Sequence, residues 1–135
     1  MSKPVPVPDN LTKPFWDACN EQRLVIQRCQ QCQRYYHPPV GICVNCLSVN
    51  LAFEPVSGRG KIYTFSITHD ARQPAFQAIA PYTVAVVELE EQRELFLLSN
   101  IPGTRPHDVK SGMAVKVEFE EIAPGCRIPQ FRQAG

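Results

Sequence analysis

The sequence lacks any long hydrophobic run. The most apolar stretch, residues 82–89, ends at Glu90 and Glu91, and it is far shorter than the roughly 20 apolar residues that cross a membrane as a helix. The first ten residues hold three prolines and lack the apolar stretch of a signal peptide. These absences predict a cytoplasmic protein without a membrane partner.

An excess of charge of one sign is also missing. The 14 Lys and Arg residues nearly balance the 13 Asp and Glu residues, so that the formal net charge is +1 at pH 7. A groove for single-stranded nucleic acid normally needs a concentrated basic surface, whereas residues 88–94 carry four glutamates. Nucleic acid is therefore not the expected partner.

A recognisable catalytic motif is absent as well. The sequence has no nucleophile and base at a meaningful spacing, no paired carboxylates of evident purpose and no phosphate-binding loop. The histidines His37, His69 and His107 are scattered, and their spacing assembles no site. Cys19 and Cys126 are typical of small buried hydrophobic side chains. We therefore expect no turnover by the chain alone.

Four of the six cysteines, in contrast, form one pattern. They are Cys29, Cys32, Cys43 and Cys46, with the spacing C-x2-C-x10-C-x2-C. Each C-x2-C turn places two thiolates on one side of a tight knuckle, and two knuckles complete a tetrahedron, as in zinc ribbons. Two disulfides or four free thiols are the alternative, which a reducing compartment disfavours. Because four sulfur ligands leave no open position, we predict one structural zinc ion per chain and no chemistry at the metal.

The whole sequence is predicted to divide into three parts. Residues 1–23 are a proline-rich arm and a short helix, residues 24–56 are the zinc ribbon, and residues 57–135 are an all-β domain. The 13 prolines and 7 glycines are spread as punctuation, which suits many short strands better than a few long helices. The predicted fold class is therefore mainly β.

The predicted helix is short and amphipathic. Thr12 is placed to cap it, Pro14 lies in its first turn, and it ends near Asn20. Phe15 and Trp16 supply an apolar side. Both are candidates for docking on a partner, although Trp16 fits the core of the ribbon equally well.

Five strand candidates follow in the all-β domain. They cover residues 61–68, 82–89 and 94–99, a segment after Gly112, and residues 126–131. The almost continuously apolar second candidate predicts a central strand with both faces covered. Five strands with one longer connection after the third fit an OB-type Greek-key barrel.

Particular residues along nearly the whole chain resemble those of a known family. They are Phe15-Trp16, Arg28-Cys29, Tyr36-His37-Pro38-Pro39, Cys43, Cys46, Ser57-Gly58-Arg59-Gly60, Tyr63-Thr64-Phe65, Pro74-Ala75-Phe76, Pro81-Tyr82, Ser99-Asn100, Gly112-Met113 and Pro129-Gln130-Phe131. Their order resembles the OB-fold, acyl-CoA-associated protein family, whose members begin with a rubredoxin-like zinc ribbon. Gln33 stands where that family usually has glycine, a departure that questions the geometry of the first knuckle and not the metal.

The resemblance implies a small, non-catalytic accessory subunit. Such subunits associate with thiolase-like or related acyl-CoA enzymes, including steroid side-chain aldolases and multicomponent acyltransferases, and help to form the binding surface for a coenzyme A thioester. The catalytic residues would belong to the partner. Carried over by position, Arg59, His69, Arg72 and Phe76 are candidates for contact with the ligand or the partner.

Other roles compete with these assignments. Arg59 could solvate a turn, or its neighbours Gly58 and Gly60 could let a phosphate approach closely. Phe76 could plug the open end of the barrel. Single-strand nucleic-acid binding is the alternative function, because zinc ribbons and OB folds both occur in proteins that hold single strands. A self-sufficient enzyme ranks third.

Overall fold

A computed structural model describes residues 3–134, and the fold is mainly β as predicted. Within this range no helix is long and apolar enough to cross a membrane. In chain order the elements are α1 (Lys13–Asn20), β1 (Val25–Cys29), β2 (Tyr35–Tyr36), β3 (Leu51–Pro55), β4 (Arg59–Thr68), α2 (Pro74–Gln77), β5 (Tyr82–Leu89), β6 (Phe96–Ser99), a 3-10 helix (Pro106–Asp108), β7 (Ala114–Ala123) and β8 (Cys126–Gln133).

A turn held together by Asp9 leads into α1. The Asp9 carboxylate accepts the backbone N–H groups of Leu11 and Thr12 at 2.9 and 2.7 Å, and the bond from Thr12 is the main cause that lowers the pKa of Asp9. The side chain of Thr12 makes no capping bond to the helix; its hydroxyl accepts the N–H of Asp9 at 3.1 Å. Thr12 therefore occupies the predicted N-cap position, but its side chain does not cap the helix, because the hydroxyl turns back toward Asp9.

The ribbon is built on a small antiparallel sheet of order β2-β1-β3. β1 pairs along its whole length with β3, which places Cys29 opposite Leu51. β2 has two residues and places Tyr36 opposite Gln27. β3 was not predicted from the sequence, because it is short and is ordered by pairing with a strand more than twenty residues earlier.

β4 to β8 form a five-stranded antiparallel barrel of order β6-β5-β4-β7-β8. The central strand is β4, so the prediction that residues 82–89 form the central strand is wrong. β5 buries alternate residues, while Val84 and Val86 on its other face are half-buried. The apolar run of β5 therefore does not have two covered faces. Its inner face is buried, and its outer face is partly open to solvent.

Side chains seal the seam between the edge strands β6 and β8, between which the described residues form no backbone ladder. The hydroxyl of Ser99 accepts the N–H of Phe131 at 2.8 Å. The amide oxygen of Gln130 accepts the N–H of Asn100 at 2.8 Å. Because Ser99 and Gln130 are both buried, these bonds leave the barrel nearly closed.

One hydrophobic core joins α1, the ribbon and the barrel. Phe15 and Cys19 of α1 and Ile26 of β1 are buried in the same cluster as Val87 and Phe131 of the barrel. The helix that precedes the ribbon therefore packs as part of the barrel core. α1 therefore contacts both the ribbon and the barrel within one core.

Candidate functional site

Four cysteine thiols converge between the two knuckles of the ribbon. The Sγ atoms of Cys29, Cys32, Cys43 and Cys46 all lie within 4.8 Å of one another, with 3.6 Å from Cys29 to Cys46 and 3.5 Å from Cys32 to Cys43. A tetrahedral zinc ion with Zn–S bonds of about 2.3 Å holds its sulfurs about 3.8 Å apart. None of the four is in a disulfide. The donor set and its spacing therefore fit one zinc ion.

The two knuckles repeat one backbone pattern. The N–H of Gln33 donates to the carbonyl of Cys29 at 2.9 Å, and the N–H of Leu47 donates to the carbonyl of Cys43 at 2.8 Å. Gln33 and Leu47 both have positive φ angles, 70° and 64°. This conformation costs a residue other than glycine about 1–2 kcal/mol. The chain therefore carries strain at equivalent positions of both knuckles.

Hydrogen bonds at Cys29 and Cys43 favour the thiolate, the form that binds metal. The backbone N–H of Cys32 donates to Cys29 Sγ at 3.5 Å, and this bond is the main cause that lowers the pKa of Cys29. The hydroxyl of Tyr36 lies 3.1 Å from Cys43 Sγ. Burial raises the pKa of Cys43, but the Tyr36 hydroxyl and nearby backbone N–H groups outweigh burial and bring the pKa to about 6.

An apolar cleft of about 600 Å³ lies where α1, α2 and the seam between β6 and β8 meet. We call it the aromatic cleft, and its main apolar lining residues are Trp16, Phe76, Val84, Phe96, Leu98 and Ile128. Phe15 supports it from below: it is 5% exposed, and its ring meets Trp16 edge-on with 4.9 Å between centroids. Three residues predicted as contacts, Phe15, Trp16 and Phe76, are thus brought together.

His37 forms another part of the wall of the aromatic cleft. Its ring lies 5.1 Å from the ring of Phe15, between centroids. Burial lowers the pKa of His37 to about 4. The imidazole is therefore neutral at pH 7, which suits a structural role in an apolar wall.

The other predicted contact residues do not form one site. His69 and Arg72 are exposed in the segment between β4 and α2. Arg59 lies at the opposite end of β4, ten residues before His69, and an extended strand of that length separates them by roughly 30 Å. Arg59 and His69 are close in the sequence but far apart in the structure, because the extended strand β4 lies between them.

Arg59 lines a second cleft, of about 490 Å³, together with Lys61, Arg93 and Lys116. We call it the basic cleft, although two glutamates also line it. Arg59 and Lys116 lie directly opposite each other across β4 and β7, where like charges repel. Within residues 3–134, Arg59, Arg93 and Lys116 form no ion pair. The cleft therefore presents uncompensated positive charge.

The glycines beside Arg59 serve the packing of the barrel. A Cβ atom on Gly58 would clash with the side chain of Val117, and one on Gly60 would clash with the carbonyl oxygen of Glu88. The chain's own atoms therefore occupy the space beside both glycines. Close packing of the barrel thus explains both glycines, and close access for a phosphate is not needed to account for them.

Two family descriptions account for most of the chain. Residues 16–52 match the family described as "ChsH2, rubredoxin-like zinc ribbon domain", and residues 53–120 match "ChsH2, C-terminal OB-fold domain". The chain belongs to this ChsH2 family. A solved structure described as "Ltp2-ChsH2(DUF35) aldolase" contains a similar chain, with a TM-score of 0.87 and 34% identity over 96% of this chain and 99% of that one.

The ChsH2-type chain matches different fractions of the lengths of two sequence relatives. A "DUF35 domain-containing scaffold protein" of Methanocaldococcus jannaschii is 35% identical over 84% of this chain and 80% of its own length. A "Probable enoyl-CoA hydratase alpha subunit" of Thermomonospora curvata is 36% identical over 93% of this chain but 38% of its own length. The chain thus spans little more than a third of the second relative.

Sequence reasoning missed several residues that complete the two clefts of this ChsH2-type chain. Leu98 stood inside a predicted strand, and its neighbours Leu97 and Ser99 are the buried ones. An apolar residue on the outer face of a strand was the available signal. Lys116 gave no such signal, because only the register of β7 against β4 places it opposite Arg59.

Proposed function

We propose that this chain is a non-catalytic accessory subunit of an acyl-CoA-processing complex, with a thiolase-like or related enzyme as its partner. The observation that carries the proposal is the similarity along 96% of the chain to the chain of the Ltp2-ChsH2(DUF35) aldolase, with a TM-score of 0.87. The T. curvata relative and a "3-oxo-4,17-pregnadiene-20-carboxyl-CoA hydratase alpha subunit" of Mycobacterium tuberculosis support the same class of complex by name. The partner supplies the catalytic groups.

One structural zinc ion completes the subunit. Cys29, Cys32, Cys43 and Cys46 hold it, and bound zinc cross-links the two knuckles. Zinc binding of this kind contributes on the order of 10 kcal/mol to the folding of small modules. Four sulfur ligands leave no position for substrate, so the role of the ion is to shape the ribbon.

The aromatic cleft is the docking surface for the partner enzyme in this proposal. Trp16 and Phe76 are aromatic anchors of the kind that dominate binding energy at interfaces, and Phe15 fixes the orientation of Trp16. His69 and Arg72 precede α2, which carries Phe76, and they lie at the rim of the same interface. A stable pairing buries at least roughly 1,000 Å² in total, so the interface extends beyond the cleft.

The basic cleft is the candidate surface for coenzyme A. Its phosphate groups carry negative charge, and an anion between Arg59 and Lys116 would relieve the repulsion between these two side chains. Arg93 adds a third cation without an ion pair in the described chain. This surface lies on the chain itself, whereas the acyl group would be held by the partner.

Affinity purification from the native host tests the proposed partnership. We expect a larger acyl-CoA enzyme to copurify with the tagged chain, and turnover of acyl-CoA substrates to be higher with both chains than with either alone. Recovery of nucleic acid with salt-sensitive single-strand binding, and of no acyl-CoA enzyme, would contradict the proposal and favour the alternative function.

The coenzyme A surface has a test of its own in the same complex. Arg59→Gln combined with Lys116→Gln should raise the KM for acyl-CoA about tenfold, the effect of losing charge-assisted contacts of about 1.4 kcal/mol. Lys110→Gln removes an exposed cation outside the cleft and is the matched control. Equal KM values for both variants would remove the basic cleft from the proposal and leave the partnership intact.

A further inference from the structure

Two residues on facing strands of the ribbon reach the second knuckle. Gln27 in β1 and Tyr36 in β2 are directly opposite each other, and side chains at such positions project from the same face of an antiparallel pair. This face is directed at the segment that leads to Cys43. The two side chains bind different points of that segment.

Gln27 holds the chain just before the second knuckle. Its side chain is buried, with 4% of the residue exposed. Its amide oxygen accepts the N–H of Val40 at 2.7 Å, and its amide nitrogen donates to the carbonyl of Val40 at 2.9 Å. Both polar ends of a buried amide are thus used on one backbone unit, which fixes where the second knuckle begins.

Tyr36 contacts the second knuckle at a metal ligand. Its hydroxyl oxygen lies 3.1 Å from Cys43 Sγ, and Cys43 is fully buried. A cysteine that binds zinc does so as a thiolate without a proton, whereas the phenol of tyrosine retains one. The tyrosine is therefore the donor and the sulfur the acceptor once metal is bound.

This contact distinguishes Cys43 from the other three ligands. Cys29 receives a backbone N–H at 3.5 Å, and within residues 3–134 no side-chain hydroxyl donates to Cys29, Cys32 or Cys46. Tyr36 can therefore change the charge on one sulfur selectively. The strand β2, only two residues long, gains a second function as the support of this donor.

We propose that Tyr36 is a positioning residue of the metal centre, whose hydroxyl donates a hydrogen bond to the Cys43 thiolate and sets the strength of that one metal–sulfur bond. The inference rests on the proposed structural zinc. A hydrogen bond withdraws electron density from the sulfur and holds it at the orientation that the metal needs, and partners of this kind are typically worth 10- to 100-fold in metal affinity.

Tyr36→Phe and Tyr35→Phe form a matched pair for the test. Both remove one phenol hydroxyl from β2. The ring of Tyr35, however, packs under Arg28 at 4.5 Å, and within residues 3–134 its hydroxyl makes no bond to a cysteine. In the full chain, Tyr36→Phe should lower zinc affinity about tenfold in competition with a chelator. With Co²⁺ in place of zinc, its sulfur-to-metal charge-transfer bands should shift to lower energy. Tyr35→Phe should leave both quantities at the wild-type values.

A fluorinated tyrosine at position 36 provides a variant that keeps the ring and the hydroxyl. It is a stronger donor, so the charge-transfer bands should shift to higher energy, opposite to the shift in Tyr36→Phe. Equal affinities and spectra for Tyr36→Phe and Tyr35→Phe, or no shift with fluorotyrosine, would overturn the inference while leaving the metal centre. A wild-type chain that binds neither zinc nor Co²⁺ would overturn the proposed metal centre itself and the inference with it.

Discussion

The longest strands of the zinc ribbon have five residues, whereas β4 and β7 of the barrel have ten each. The second knuckle leaves four apolar residues exposed, Ile42, Val44, Leu47 and Val49, while the barrel buries most of its inward side chains. Short strands with few buried contacts stabilise a sheet weakly. We therefore expect the ribbon to depend on bound zinc and the barrel on apolar burial, although both meet in one core.

Removal of a metal ligand should produce the largest difference in stability between the ribbon and the barrel. Cys43→Ser leaves three sulfur ligands, so we expect poor zinc binding and an unfolded ribbon, with a loss on the order of 10 kcal/mol of metal-linked folding free energy. Metal analysis and NMR spectra of the ribbon amides measure both effects. Cys126→Ser, outside the centre, should retain one zinc per chain. A folded wild-type chain that holds no metal and is unaffected by a chelator would contradict this prediction.

Truncation of a buried barrel side chain should destabilise the barrel and leave zinc binding intact. Phe131 is fully buried, and Phe131→Ala should lower the free energy of unfolding by about 3–5 kcal/mol through lost burial and a new cavity. Urea unfolding of the zinc-loaded protein gives this value, and the folded variant should still bind one zinc. A zinc content well below one ion per chain would show that metal binding depends on the barrel core in addition to the four cysteines.

Two leucines of equal exposure compare the surfaces of the two regions. Leu98 in the aromatic cleft and Leu47 on the second knuckle are each 71% exposed. If the partner docks on the cleft, Leu98→Ala should weaken binding by about 1–2 kcal/mol, and Leu47→Ala should have no effect. Binding measured by titration calorimetry decides between the surfaces. The reverse order of effects would move the interface to the knuckle.

The smallest expected effect concerns backbone strain in the ribbon. Gln33→Gly relieves a positive φ of 70° and should stabilise the metal-loaded protein by up to about 1 kcal/mol. Gln31 is not among the residues with a positive φ angle. Gln31→Gly should therefore destabilise the metal-loaded protein by about 0.5–1 kcal/mol. Thermal unfolding of the two variants tests this difference. Equal shifts would show that Gln33 is not strained.

The metal centre could be predicted from the sequence because its geometry is local. Each C-x2-C turn is complete within a few residues, and the four thiols converge as expected. The barrel could also be predicted, since the alternation in β4 and β7 is visible in the sequence. β3 and the place of β4 at the centre of the sheet were missed, because both depend on which distant strands pair.

The two clefts were beyond prediction for a related reason. Trp16, Phe76 and Leu98 come from three separate segments, and only the packing of α1 and α2 near the seam brings them to one surface. Arg59 and His69, in contrast, are only ten residues apart in the sequence. The extended backbone of β4 puts them at opposite ends of the barrel.

The seam between β6 and β8 has a consequence for the motion of the barrel. Side chains of Ser99 and Gln130 bind the N–H groups of Phe131 and Asn100 there, whereas eight residue pairs join β4 to β5. Separating β6 from β8 therefore breaks far fewer backbone hydrogen bonds than separating β4 from β5. In deuterium exchange, the edge amides of β6 should exchange in the first, low-energy opening of the barrel, next to the aromatic cleft. The β4 amides that bond to β5 should exchange only on global unfolding.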